Sequence, residues 1–243
     1  ASFTFPEPKR SGDIVFEIKG LSHSFGSNHL FKGLSRIVTR GEKLAIVGKN
    51  GIGKTTLLNI IAERLTPSEG FVKQGANISI SYFKQDEIDH LPKDKTILEF
   101  IESVTPFELF PRIKTMLGSF LFFEESWDKK ISILSGGEKV RLAFMNILLN
   151  PGNVLLLDEP TTHLDMDSCE ILLENLKNFK GTIIFVSHDI YFIDNIATSV
   201  LYFAKNRDII NFSGNYSEYI ACYGEEKRVA EEKKSEIKET LSA

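Results

Sequence analysis

The run Gly48-Lys49-Asn50-Gly51-Ile52-Gly53-Lys54-Thr55 restricts the folds open to this chain more than any other feature of it. It fits G-x-x-x-x-G-K-[ST] and lies between a short apolar strand, Lys43 to Val47, and a stretch at helical spacing, Thr55 to Arg64. A strand feeding a Gly-rich turn and then a helix is the context in which that pattern has a mechanism. The glycines let backbone N–H groups approach phosphate oxygens, and the helix N-terminus adds a favourable dipole. Gly48, Asn50, Gly51 and Gly53 are then cradle positions. Lys54 would reach the β- and γ-phosphates of a nucleotide, the Thr55 hydroxyl would ligate Mg²⁺, and Thr56 could contact the α-phosphate.

A second loop supplies acids. Val154 to Glu159 reads VLLLDE, an apolar strand ending in two carboxylates. In parallel sheets, ligand and catalytic groups collect at such carboxyl ends. Asp158 is expected to hold Mg²⁺, directly or through water, and Glu159 to polarise the water that attacks the γ-phosphate. Read alone, the pair would pass for a solvated loop; a phosphate cradle elsewhere in the chain changes that reading.

The rest of the pattern predicts an α/β fold. Ile14 to Ile18 and Leu34 to Val38 read as antiparallel strands, and Ile78 to Phe83 as a further strand. Thr96 to Val104 and Phe107 to Phe122 read as helices of a small lobe. Gly136 to Leu149 is a helix stopped by Asn150-Pro151-Gly152. Buried strands at Val154–Leu157 and Thr182–Val186 alternate with helices at Ser168–Asn178 and Tyr191–Ile196, the signature of a mainly parallel sheet covered on both faces. Val200–Phe203 and Asp208–Phe212 read as a closing hairpin. Residues 1–12 form a Pro-punctuated lead-in with Phe3 and Phe5 as anchors, and 225–243 a charged helical tail or linker.

Composition excludes several classes. With 42% hydrophobic residues over 243 positions, the chain can bury a real core and is not a disordered segment. No stretch approaches the roughly 18 consecutive apolar residues of a membrane span, so a chain with no membrane partner and a cytoplasmic location is expected. Cys169 and Cys222 make no framework or ligand spacing, which suits a reducing compartment. A net charge of −4 argues against charge-driven nucleic-acid binding by the domain as a whole.

Leu134-Ser135-Gly136-Gly137-Glu138 opens the long helix, and Ser with two Gly at a helix N-terminus makes another anion site, its N–H groups and hydroxyl pointing outward. A chain that already has its own cradle suggests that this one serves a partner's nucleotide. In order and spacing, these segments resemble the nucleotide-binding domain of the ABC ATPase superfamily over essentially the whole chain. The resemblance implies ATP and Mg²⁺ as cofactors, ATP hydrolysis, and head-to-tail closure on a second such domain. Ser135, Gly136 and Gly137 then act in trans. Phe25, in HSFGS, matches the aromatic that stacks on adenine, usually Tyr. Gln85, in YFKQD, matches the Q-loop that senses Mg²⁺ and the attacking water. Asp165, in THLD, matches the D-loop that crosses the dimer interface, and His188, in FVSHD, the switch histidine at the γ-phosphate.

Four segments resemble the ABC-F branch, soluble paired-domain ATPases that act on ribosomes. They are EPTTHLD at 159–165, SHDIYFIDNIAT at 187–198, FSGNYSEY at 212–219 and FTFPEPKRSGDIVFEI at 3–18. Thr162 departs from the usual Asn, and Ile190 from a common Arg. The last segment looks like the end of an inter-domain linker, which implies the second of two ATPase domains: a lead-in at 1–12, the ATPase domain at 13–224 with its helical lobe at about 90–150, and the tail. Ribosome contact, to ribosomal RNA and transfer RNA, would then run through regions outside this chain. A transporter ATPase subunit is the alternative. A non-hydrolysing regulatory module is disfavoured by the intact Lys54, Asp158, Glu159 and His188.

Overall fold

Strands that read as unbroken apolar runs need cover on both faces, and the fold supplies it. A computed structural model describes residues 6–162, 164–204 and 208–224. In chain order, β1 (Ile14–Phe25) and β2 (Asn28–Thr39) form a hairpin, β3 (Lys43–Gly48) leads into α1 (Lys54–Ile61), and β4 (Glu69–Gln74) returns to pair with β1. β5 (Ile80–Phe83) opens a helical stretch containing α2 (Ile97–Val104), α3 (Ile113–Ser119) and α4 (Gly136–Leu149). β6 (Val154–Asp158), α5 (Met166–Asn178), β7 (Thr182–Val186), α6 (Ile190–Ile196), β8 (Ser199–Phe203) and β9 (Ile209–Ser213) follow.

The larger sheet has the order β5-β6-β7-β3-β8-β9, parallel except for the antiparallel β8–β9 hairpin. Its two faces feed two separate cores. In β6, Leu155 and Leu157 pack with the helices α2 to α6, whereas Val154 and Leu156 pack with α1 and the second sheet. In β7, Ile183 and Phe185 take the first side, Ile184 and Val186 the second. This period-two partition explains why β6 carries no polar residue until its carboxyl end and why β7 is apolar throughout after Thr182. The expected α/β architecture, with a mainly parallel sheet, an antiparallel subdomain and a helical lobe, is the one observed.

The second sheet, β2-β1-β4, differs in detail from the sequence reading. β1 and β2 each run for 12 residues, well past the short strands expected. Their register shifts around Ile18/Leu21 and Leu21/His23 break the clean alternation on which a strand reading relies. β4 is an edge strand whose Glu69, Gly70 and Phe71 are exposed, so it carries almost no burial pattern and was not expected at all. The helix expected over Phe107 to Phe122 is two pieces. A 3-10 turn over Phe107–Arg112 contains Pro111, which cannot donate its share of a helical ladder, and α3 begins only after it.

A short helix over 216–224 closes the described chain. Among the described residues no helix is long and apolar enough to cross a membrane. Phe3, Phe5, His163 and the tail at 225–243 lie outside the described residues.

Candidate functional site

The phosphate cradle forms where β3 ends. Gly48 is paired with Phe203 of β8, and a Cβ there would lie 2.8 Å from the Phe203 Cβ, so only glycine lets the chain leave the sheet at this point. Gly53 caps α1 in the left-handed region at φ 110, where a side chain would also press within 3.1 Å of Leu30. Between them the loop wraps Lys54, which is buried and donates from Nζ to the carbonyls of Gly48 at 2.8 Å and Lys49 at 3.0 Å. Burial pushes the Lys54 ammonium down from its usual range, against the pull of the Glu159 and Asp158 carboxylates.

Both carboxylates stand at the end of β6. Asp158 is buried, and the Thr55 hydroxyl donates to its Oδ1 at 3.1 Å. An alcohol oxygen beside a carboxylate at the mouth of α1 is the hard oxygen donor set that Mg²⁺ takes, so these two residues fit the expected ion. Glu159 takes the left-handed backbone, φ 51, and its N–H donates to the Val186 carbonyl at 2.9 Å. That bend turns its side chain toward β7, where Glu159 Oε1 lies 3.2 Å from His188 Nε2. Burial holds the Glu159 carboxyl above its ordinary range, against the pull of His188 and Lys54, which makes it a stronger base. His188 Nε2 is also 3.4 Å from Lys54 Nζ. Just before it, buried Ser187 accepts from the Asp189 N–H at 3.1 Å, and Asp189 caps α6, so the histidine is carried on a fixed turn.

These groups surround a cavity of about 430 Å³ lined by Phe25, Asn50, Gly51, Gly53, Lys54, Thr55, Thr56, Glu159 and His188. Phe25 ends β1, is 55% exposed, and meets the His23 ring edge-on with centroids 4.7 Å apart. Gly48 lines an adjoining cavity of about 570 Å³ that shares Asn50 and His188. A larger groove of about 720 Å³ runs along the antiparallel sheet, but its Ser22, Ser35 and Ser68 hydroxyls are already held by the N–H groups of Gly33, Gly20 and Ser24. Gln85 opens a 3-10 turn after β5, whose Phe83 pairs with Leu157 of β6, so its backbone follows the strand beside the acids; its side chain lies outside the described residues. Sequence reasoning missed Asn28 and Leu30, which complete the cavity wall from β2. Their only signal is that they follow the Phe25 turn.

The remaining expected site residues lie apart. Ser135, Gly136, Gly137 and Asp165 do not line the cavity that holds Lys54. Ser135 caps α4 in a reciprocal box: its Oγ accepts from the Glu138 N–H at 3.2 Å, and the Ser135 N–H donates to Glu138 Oε2 at 2.8 Å. The Ser135 N–H is thereby committed to Glu138, which leaves the Ser135 hydroxyl proton and the N–H groups of Gly136 and Gly137 in the first turn of α4. Asp165 caps α5 through its Oδ1, which accepts from the Ser168 N–H at 2.8 Å, while its side chain stays 67% exposed.

Residues 31–162 match the family model described as ABC transporter. The chain is 38% identical over 236 residues to ABC transporter F family member 2 of Arabidopsis thaliana, covering 97% of this chain and 35% of that protein. It is 35% identical over 239 residues to the ATP-binding protein Uup of Haemophilus influenzae, covering 96% of this chain and 37% of that protein. The chain thus spans little more than a third of either relative. Among solved structures, cbiO1 of Clostridium perfringens, described as part of the ABC transporter complex cbiONQ, superposes with a TM-score of 0.68 at 28% identity, over 86% of this chain and 92% of that one.

Proposed function

From the premise that this chain belongs to the ABC transporter family of ATP-binding domains, we propose that it is an ABC-F type ATPase domain that closes head-to-tail on a second such domain and so drives ribosome association. The observation that carries this reading is a division of labour. Lys54, Thr55, Glu159 and His188 converge on one cavity, with Asp158 bonded to Thr55, whereas Ser135 and Asp165 present an exposed hydroxyl and carboxylate elsewhere. A site split in this way is completed by a second domain.

The chemistry follows from the geometry. The Gly-rich loop and Lys54 hold the phosphates, and Phe25 stacks on the base. Glu159, a carboxylate whose pKa burial raises, takes a proton from the attacking water, and His188, with Nε2 3.2 Å from that carboxylate, orients it beside the γ-phosphate. The products are ADP and phosphate. Thr55 and Asp158, with Gln85, would hold Mg²⁺, which when bound neutralises charge on the phosphates. A cytoplasmic location follows from the ribosome reading.

The likeness to cbiO1 favours a second reading, an ATPase subunit of a membrane transporter. The names of the relatives and the 159–165 and 212–219 segments favour the first. Pelleting ribosomes with the full-length protein carrying Glu159→Gln separates them. Co-sedimentation that requires ATP is expected. Recovery on membranes, with nothing on ribosomes, overturns the reading in favour of the transporter.

A further inference from the structure

Arg141 lies six positions beyond the Ser135 cap, on the apolar side of α4, where its guanidinium is 11% exposed. Its Nη1 donates to the Ser168 Oγ at 2.5 Å and lies 3.8 Å from Asp165 Oδ2. Ser168 is itself 1% exposed and gives its N–H to Asp165 Oδ1, so the three residues close a triangle at the start of α5. The guanidinium carbon sits over the Phe122 ring, 5.4 Å from its centroid, and Phe122 is buried in the helical lobe. One cation therefore touches α4, the cap of α5 and the lobe together. Hydrogen bonds from Ser168 hold Asp165, and against burial those with Ser135 hold Glu138, below the ordinary carboxylate range, and the Arg141 charge adds a smaller pull in the same direction on both.

Stability alone is a poor account of this residue. Among the described residues the Arg141 Nε–H is buried without a partner, and a buried charge with an unpaired donor is worse for folding than an apolar side chain of the same volume. A planar fork does what an apolar residue cannot. It stacks on an aromatic face while bonding in its own plane, which fixes the direction of one helix relative to the other.

We propose that Arg141 is a positioning residue that locks the Ser135 cap and the Asp165 cap into one rigid unit, so that both reach a partner domain's nucleotide together. This rests on the head-to-tail pairing proposed above and adds to it the device that keeps the two donated elements in register. Arg141 lies away from its own chain's cradle, so its loss leaves nucleotide binding in cis intact and shows only in what the chain does for a partner.

The test uses Arg141→Met, Arg141→Lys and Ser168→Ala in this chain. Binding of a fluorescent ATP analogue by Arg141→Met stays within about twofold of the parent, while ATP-driven self-association in the Glu159→Gln background weakens about tenfold, as expected for removal of a coupling interaction. Arg141→Lys, which keeps the charge but not the fork, and Ser168→Ala, which keeps the fork but not its acceptor, fall between. The decisive measurement mixes Arg141→Met with Lys54→Ala. Lys54→Ala alone is inactive and Arg141→Met alone is slowed, but the mixed pair holds one complete site: ATP on the Arg141→Met chain, closed over by the intact Ser135 and Asp165 of the Lys54→Ala chain. Recovery of ATP turnover on mixing supports the positioning role. Arg141→Met associating like the parent overturns it, and so does loss of nucleotide binding with a lowered melting temperature and no recovery on mixing. A parent chain that stays monomeric with ATP in the Glu159→Gln background overturns the pairing itself, a failure seen before any Arg141 variant is made.

Discussion

Replacing Glu159 separates its chemistry from its backbone strain. Its φ of 51 lies in the left-handed region, which costs a side-chain-bearing residue about 1–2 kcal/mol. Glycine at this position relieves that strain, but it also adds unfolded-chain entropy of about 0.4–1 kcal/mol. It further removes the 3.2 Å contact to half-exposed His188, worth at most about 1 kcal/mol. These three terms nearly cancel. Glu159→Gly therefore melts within about 2 °C of the parent, since a domain this size moves roughly 2–4 °C per kcal/mol. At an ordinary strand position the strain relief is missing and the same substitution lowers stability. Glu159→Gln keeps the shape, removes a partly buried charge beside Asp158, and melts no lower than the parent. Both variants lose the base. A positioned base contributes about 10²–10⁴ in rate, which is about 3–5 kcal/mol of barrier. Differential scanning calorimetry paired with phosphate-release assays reads both axes. Turnover by Glu159→Gln within threefold of the parent refutes the base assignment, and a Glu159→Gly variant that melts well below the parent refutes the strain argument.

Other consequences are more direct. Lys54→Ala removes the ammonium that the loop wraps and lowers nucleotide affinity by roughly 10–100-fold, the worth of one charge-assisted bond of about 1.5–3 kcal/mol; equilibrium dialysis checks it. Phe25→Ala leaves the melting temperature unchanged because the ring is exposed, yet costs about 1–3 kcal/mol of base stacking, read as weaker binding of ATP but not of inorganic triphosphate. On the proposed mechanism turnover depends on deprotonated Glu159, whose carboxyl is held above the ordinary range by burial, so the acid limb of the rate profile is expected at higher pH than for a free carboxylate. Because folding favours the protonated form of this group, its contribution to stability declines as pH rises through the same interval, the opposite sign to the rate; Glu159→Gln abolishes that slope in a pH series of melts.

Those parts of the fold were legible where one residue pattern answered to one physical demand. Val154–Asp158 and Thr182–Val186 are buried on both faces, so the sequence is apolar up to Asp158 in the first and from Ile183 to Val186 in the second. The helix at Gly136–Leu149 was marked at both ends, by Ser135 and by Asn150-Pro151-Gly152. β4 was illegible because an exposed edge strand is held by backbone pairing to β1, which leaves little trace in side chains. Ser135 shows a different difficulty. Ser-x-x-Glu is a capping box and Ser-Gly-Gly an anion site, and the same atoms were available to both readings; only the folded chain shows that Glu138 takes the Ser135 N–H. Arg141 gave no signal beyond a cation among apolar neighbours, since its partners lie 24 and 27 positions away, counting from 141 to 165 and to 168.

The division of the site also bears on how a domain of this kind can act as a switch. A ligand that binds two states equally well shifts nothing, however tightly it binds. Lys54, His188 and Glu159 belong to one chain and meet the nucleotide whether or not a partner is present, so on the proposed pairing they set affinity and chemistry but not closure. Moving a pair from about 1% to about 99% closed takes roughly 5.5 kcal/mol of differential binding. Charge-assisted hydrogen bonds supply about 1.5–3 kcal/mol each, so two or three bonds made only in the closed state suffice. On the proposed pairing the Ser135 hydroxyl, the N–H groups of the first turn of α4 and the Asp165 carboxylate would make them, with Arg141 holding them as a set. Removing one member of that set lowers closure without lowering a single chain's own affinity for ATP, whereas a substitution around Lys54 lowers that affinity first.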